Sequence, residues 1–156
     1  MNATRTAILL YFCVLAILSI GVAMVRPADE VNIDRTGLAL GGYDPVTYFT
    51  KGKPSKGNFQ ITAEYQGATY RFANKANREL FQKSPRRYAP QYGGYCAYGI
   101  AKGAKFTADP TIWKVVNGKL YVNLDQSIGE LFNKDVSGYI TKANQNWPGL
   151  HTKPAR

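Results

Sequence analysis

Residues Gln91 to Gly99 read Gln91-Tyr92-Gly93-Gly94-Tyr95-Cys96-Ala97-Tyr98-Gly99, and they hold the only cysteine outside the apolar N-terminal run that contains Cys13. A thiolate suits soft ions such as Cu(I) or Zn(II). The flanking glycines let the backbone take positive φ or approach another group closely, and the tyrosines supply apolar rings tipped with a hydroxyl. Tyr43, Asp44, Tyr48, Tyr92, Tyr95 and Tyr98 are the candidates to line an aromatic ligand pocket, with Cys96 as the candidate metal or redox residue. The same residues also read as architecture: a lone cysteine is among the most buried residue types, and tyrosines commonly fill cores with their hydroxyls paired.

Stable soft-metal sites recruit two to four Cys or His ligands, whereas this chain offers one usable cysteine and one histidine, His151, in the C-terminal tail. Two molecules each contributing Cys96 would repair the count. Nucleophilic catalysis by Cys96 needs a base, and His151 lies 55 positions further on. Asp44 and Asp109 both precede prolines and read as caps rather than as a catalytic carboxylate pair. Gly93-Gly94 lacks the spacing and the following Lys-Ser or Lys-Thr of a phosphate loop. These features argue against a hydrolase or transferase and leave a binding or sensing module.

The 156 residues allow one domain plus a short appendage, and 45% hydrophobic content supports a real core without disulfides. The net charge of +10 attracts anions, so an acidic partner protein or an anionic membrane surface suits it. The cations are scattered, as at Lys51, Lys53 and Lys56 or Lys102 and Lys105, and no nucleic-acid-binding motif accompanies them. Ala7 to Val25 is a nearly unbroken apolar run after Arg5. Its length fits an uncleaved anchor somewhat better than a signal peptide, although Gly21-Val22-Ala23 would suit cleavage. Either way the remainder is expected on the far side of the cytoplasmic membrane, periplasmic or anchored. The organisation read from composition is an anchor or signal peptide over 1–25, a spacer over 26–36, a domain over 37–148 and a flexible tail over 149–156.

The elements that would position the site follow from periodicity. Asp44-Pro45 suits a helix start that turns Val46, Tyr48 and Phe49 inward. Phe59, Ile61, Ala63 and Tyr65 alternate with polar residues, and Ala68, Tyr70 and Phe72 return across Gln66-Gly67 as a hairpin. Asn74 caps a helix bearing Ala76, Leu80 and Phe81 on one side and stopped by Pro85. Asn117-Gly118 joins Ile112–Val116 to Leu120–Leu124 through a type I′ turn. Ile128, Leu131 and Phe132, then Val136, Ile140, Ala143 and Trp147, mark two further helices, the last ending before Pro148. No internal repeat is read. The class expected is α+β, with helices covering one face of a small, mainly antiparallel sheet built from hairpins.

Over roughly Leu40 to Pro148 the chain resembles the YHS-domain family, specifically its exported branch of small single-domain proteins. The resemblance is carried by Gly42-Tyr43-Asp44-Pro45-Val46, Tyr65-Gln66-Gly67-Ala68-Thr69-Tyr70-Arg71-Phe72, Tyr88-Ala89-Pro90-Gln91-Tyr92-Gly93-Gly94-Tyr95-Cys96-Ala97, Gly118-Lys119-Leu120-Tyr121-Val122-Asn123 and Asn146-Trp147-Pro148. In related modules attached to heavy-metal pumps, a cysteine after Asp-Pro-Val and others after the hairpin look like soft-metal ligands. The matching positions here are Thr47, then Ala73, Asn74 and Asn77, without a cysteine. The resemblance therefore implies an exported binding domain with copper or another soft metal as its leading ligand, held through Cys96. The alternative is a protein- or small-molecule-binding module with Cys96 buried.

Overall fold

The computed structural model describes residues 30–156. The N-terminal apolar run and residues 26–29 of the spacer lie outside them. No helix among the described residues is long and apolar enough to cross a membrane. The architecture is α+β. Strands β1 (Asn58–Tyr65) and β2 (Ala68–Phe72) form one antiparallel hairpin, and β3 (Asp109–Val116) and β4 (Lys119–Asn123) form a second. Helices α1 (Thr47–Thr50), α2 (Lys75–Lys83), α3 (Pro85–Tyr88), α4 (Ala97–Ala101), α5 (Gln126–Lys134) and α6 (Val136–Leu150) surround them. The hairpins do not merge into one sheet. Each is its own two-stranded ribbon, joined to the rest through isolated bridges such as Leu38 to Thr69 and Cys96 to Val122.

A repeat missing from the sequence reading emerges from the geometry. Strands β1 and β2 recur as β3 and β4, and α2 as α5, each 51 positions later. Both hairpins carry an irregularity at the same place, between Asn58 and Thr62 and between Asp109 and Trp113. Both turn on two residues of positive φ, Gln66-Gly67 (51° and 72°) and Asn117-Gly118 (51° and 71°). Asn74 and Asp125 cap the following helices by accepting from Asn77 N–H and Ile128 N–H. The leading turns correspond too: Leu40-Gly41-Gly42-Tyr43 matches Tyr92-Gly93-Gly94-Tyr95, with three consecutive positive-φ residues in each. Identity between the halves includes Gly67 and Gly118, Tyr70 and Tyr121, and Phe81 and Phe132, where geometry or packing demands it, and also the exposed pairs Glu79 and Glu130 and Lys83 and Lys134. Most other positions have diverged, which hides the period from composition and hydropathy.

Each half owns a core, and β4 divides them. Leu120 and Val122 face a cluster with Val46, Tyr48, Tyr70, Phe72, Phe81 and Tyr88, whereas Tyr121 faces Tyr92, Tyr95, Ile100, Phe132 and Ala143. Some sequence expectations shift. Phe59 is 71% exposed because the β1 irregularity turns it outward, and the inner face of α2 is Asn77 and Phe81 rather than Ala76 and Leu80. Helix α6 runs through Pro148 to Leu150, since Trp147 is held against Tyr92 and Tyr95 at ring separations of 5.9 and 6.4 Å.

The second glycine turn is locked by the chain entering the domain. A Cβ at Gly93 would lie 1.9 Å from the carbonyl oxygen of Glu30, while one at Gly103, also at positive φ, would meet nothing within 4 Å. Gly103→Ala is expected to lose about 1 kcal/mol for its backbone conformation. Gly93→Ala should lose roughly two to three times that, because the entering segment must move as well. Urea denaturation of both variants checks the difference.

Candidate functional site

Two buried nodes occupy corresponding places in the halves. In the first, Asp44 is fully buried, and Thr47 beside it donates its hydroxyl to the Asp44 carbonyl at 2.8 Å. The Asp44 carboxylate accepts from Val46 N–H through Oδ1 (2.8 Å), and through Oδ2 from Ala73 N–H (2.8 Å) and the Asn77 side-chain amide (2.6 Å). It therefore ties the start of α1 to the end of β2 and to α2. The sequence reading of Asp44 as a cap is refined: it serves the turn before α1, which starts at Thr47 rather than next to Pro45. A buried carboxylate is tolerable only when donors surround it, and three do so here. Thr47, Ala73 and Asn77 thus meet in space, around a carboxylate.

In the second half Cys96 takes the place of Asp44. It is 1% exposed and caps α4, its Sγ accepting from Gly99 N–H at 3.3 Å. The thiol faces Asn123 Oδ1 at 3.7 Å, and that same oxygen accepts from Tyr98 N–H at 3.1 Å. Burial pushes the Cys96 thiol up from its ordinary range, against the N–H groups of Gly99, Leu124 and Tyr98 that pull it down. Leu124 corresponds to Ala73, so the two nodes share the same backbone donor. Cys96 is the counterpart of the carboxylate in the first half.

The tyrosines do not line one pocket. Tyr48 donates to the Pro110 carbonyl and packs edge-on against Trp113 in the first core, and Tyr43 carries the Lys56 ammonium 3.8 Å above its ring. Tyr92 donates to Asn144 Oδ1 (2.9 Å) and Tyr95 to the Val31 carbonyl, while Tyr98 meets Tyr139 at 4.9 Å. Burial raises the phenols of Tyr48, Tyr70, Tyr92 and Tyr121, so each is neutral at pH 7. Clefts among the described residues lie elsewhere. One of about 290 Å³ lies beside Leu40, Gly41 and Gly94, and one of about 660 Å³ lies between the β3–β4 turn and the α5–α6 junction.

Among the described residues no group of three or more His, Cys, Asp or Glu could hold a metal ion. Cys96 is surrounded by amide groups, and His151 Nδ1 sits 3.0 Å from the Pro148 carbonyl. The donor set therefore does not fit the copper or other soft metal that the resemblance implies. Sequence reasoning also missed Lys105, read there as one of several scattered surface cations. It is 2% exposed, with its ammonium on the carbonyls of His151 (3.2 Å) and Lys153 (2.5 Å) and 4.3 Å above the Tyr95 ring. Arg156 N–H also bonds the Lys105 carbonyl, so the tail is tied to the domain instead of hanging loose. No local pattern around Ala104-Lys105-Phe106 signals this, because the partners arrive from the far end of the chain.

The chain matches no family model, no curated protein and no solved structure.

The raised thiol has a consequence for stability. Unfolded Cys96 ionises near its ordinary pKa, while the folded thiol stays protonated to higher pH. Its contribution is fully present below the unfolded value and is lost as pH rises toward the folded one. The unfolding free energy of the wild type minus that of Cys96→Ser should therefore be flat below the ordinary thiol pKa of about 8.5 and fall as pH rises above it. Paired denaturant titrations across that range check it.

Proposed function

We propose that the chain is an exported, membrane-tethered, non-enzymatic binding domain in which Cys96 is a structural cap rather than a metal ligand or nucleophile. The observation that carries this reading is the saturation of the thiol: it receives Gly99 N–H, faces Asn123 Oδ1 and is 1% exposed. A reactive or metal-binding thiol is accessible and has its pKa lowered by cations or a metal, the reverse of what surrounds Cys96. Its correspondence with Asp44, whose carboxylate bonds three N–H groups, supports the same assignment. Tethering rests on the apolar run from Ala7 to Val25, and the net charge of +10 favours acidic partner proteins or an anionic surface over neutral ones.

Thiol reactivity tests the reading. In the full chain with Cys13→Ala, held in mild detergent, Cys96 is expected to stay silent toward a disulfide reagent until denaturant unfolds the domain. An anaerobic Cu(I) titration against a competing chelator should show no stoichiometric site lost in Cys96→Ser. Rapid labelling of the native thiol, or a tight copper site that disappears in Cys96→Ser, would overturn the assignment.

A further inference from the structure

The two ends of the described domain converge on one side of the second half. The entering chain passes over the glycine turn, where Asn32 N–H bonds the Gly93 carbonyl at 2.8 Å and Tyr95 donates to the Val31 carbonyl. The Lys105 ammonium lies 4.3 Å above the same Tyr95 ring and bonds the carbonyls of His151 and Lys153, so the C-terminal tail lies beside the entry. The surface continues onto α4 and α6. The Asn146 amide bonds the carbonyls of Ile100 and Ala101 at 3.0 and 3.2 Å, and the Lys102 and Lys142 ammonium groups stand 5.3 and 6.0 Å from the Tyr139 ring. Lys102, Lys142, Lys153 and Arg156 are all exposed. Neither Gln91 to Ala108 nor Val136 to Arg156 contains an Asp or Glu; Glu30 at the entry and Asp135 at the opposite end of α6 bound these segments. Cations that look scattered along the chain thus gather on one face, next to the point where the chain enters.

We propose that this face lies on the anionic headgroups of the membrane that holds the chain's own N-terminal anchor. Only residues 26–29 separate the apolar run ending at Val25 from Glu30. A chain spans at most about 3.6 Å per residue, so the entry lies within about 18 Å of the end of that run. The tether therefore keeps the face beside the entry close to the bilayer surface. Anionic headgroups attract each Lys or Arg brought near them, and the attraction fades over a Debye length of about 10 Å. An acidic protein suits the same charges, but only the membrane is held beside them by the chain itself. The proposal rests on reading the domain as membrane-tethered, and it names the surface and the partner chemistry that the net positive charge serves.

Fluorescence quenching tests it, in the full chain with Cys13→Ala reconstituted into vesicles of phosphatidylcholine alone or mixed with phosphatidylglycerol. A fluorophore on Thr152→Cys, in the tail, should be quenched by spin-labelled lipid headgroups in the mixed vesicles, and high salt should release it. The same label on Gln60→Cys, exposed in the hairpin on the other side of β4, should stay bright. Combining Lys142→Gln, Lys153→Gln and Arg156→Gln should lower the ratio of docked to undocked domain in mixed vesicles roughly a hundredfold, at about fivefold for each cation. All of these side chains are exposed, so the fold should hold, and continued silence of Cys96 toward a disulfide reagent verifies that it does. Quenching at Thr152→Cys that ignores lipid charge and salt, equal quenching at both labels, or a combined variant that docks like its parent overturns the proposal. Extraction of the chain from the vesicles by alkaline carbonate overturns the tethered reading itself, whereas a retained chain whose tail stays unquenched removes this docking face alone.

Discussion

Strand β4 is buried on both faces, and each half of the molecule is built against one of them. Only its first residue, Lys119, is exposed; Leu120 and Val122 enter one core, Tyr121 enters the other, and Asn123 reaches the Cys96 thiol. The two-residue period of a strand makes this division unavoidable. A one-residue slip would send Tyr121 into the first core and strip Cys96 of its amide partner, so register is decisive in this strand. The Asn117-Gly118 turn and the pairing of Val116 with Lys119 hold that register.

The repeat explains why one chain carries two chemically different nodes in one architectural role. Each half joins the segment after its glycine turn to the end of its hairpin, and the first half joins it to the helix that follows as well. Asp44 does so with a carboxylate among donors, and Cys96 with a thiol between an N–H group and an amide oxygen. Each solution satisfies the rule that a buried polar group must find partners. They differ in cost of exposure to change: a carboxylate stripped of one donor is a poorly compensated buried charge, whereas a thiol is a small, weakly polar group that tolerates apolar surroundings.

Tertiary contacts also gather features that look unrelated along the chain. The ammonium of Lys105 is bonded by carbonyls from His151 and Lys153, and the entering segment at Asn32 bonds the carbonyls of Gly93 and Gly94. Both ends of the described domain therefore close on the stretch around Gly93 to Lys105. The crowding of tyrosine and glycine there reflects that convergence: glycine permits close backbone approach, and tyrosine fills space while its hydroxyl takes a polar partner.

The local elements were largely legible in the sequence. Alternation marked both hairpins, Asn117-Gly118 marked its turn, and Asn74 stood where a helix begins, because strand period, turn geometry and capping each depend on residues close in sequence. The α+β class followed from their order. What surrounds Cys96 did not: its partner Asn123 lies 27 positions away, and whether a thiol faces solvent, a metal or an amide depends on which strand is laid against it. The tyrosines that suggested one pocket were divided between two cores for the same reason, and Lys105 gave no local sign of burial. The sequence by itself determined the two hairpins and their turns, the longer helices after them, and that the domain is basic, but not the short helices Pro85–Tyr88 and Ala97–Ala101. Only the tertiary structure decided which polar groups are buried together, because that depends on long-range packing between segments whose spacing in the chain carries no record of their meeting.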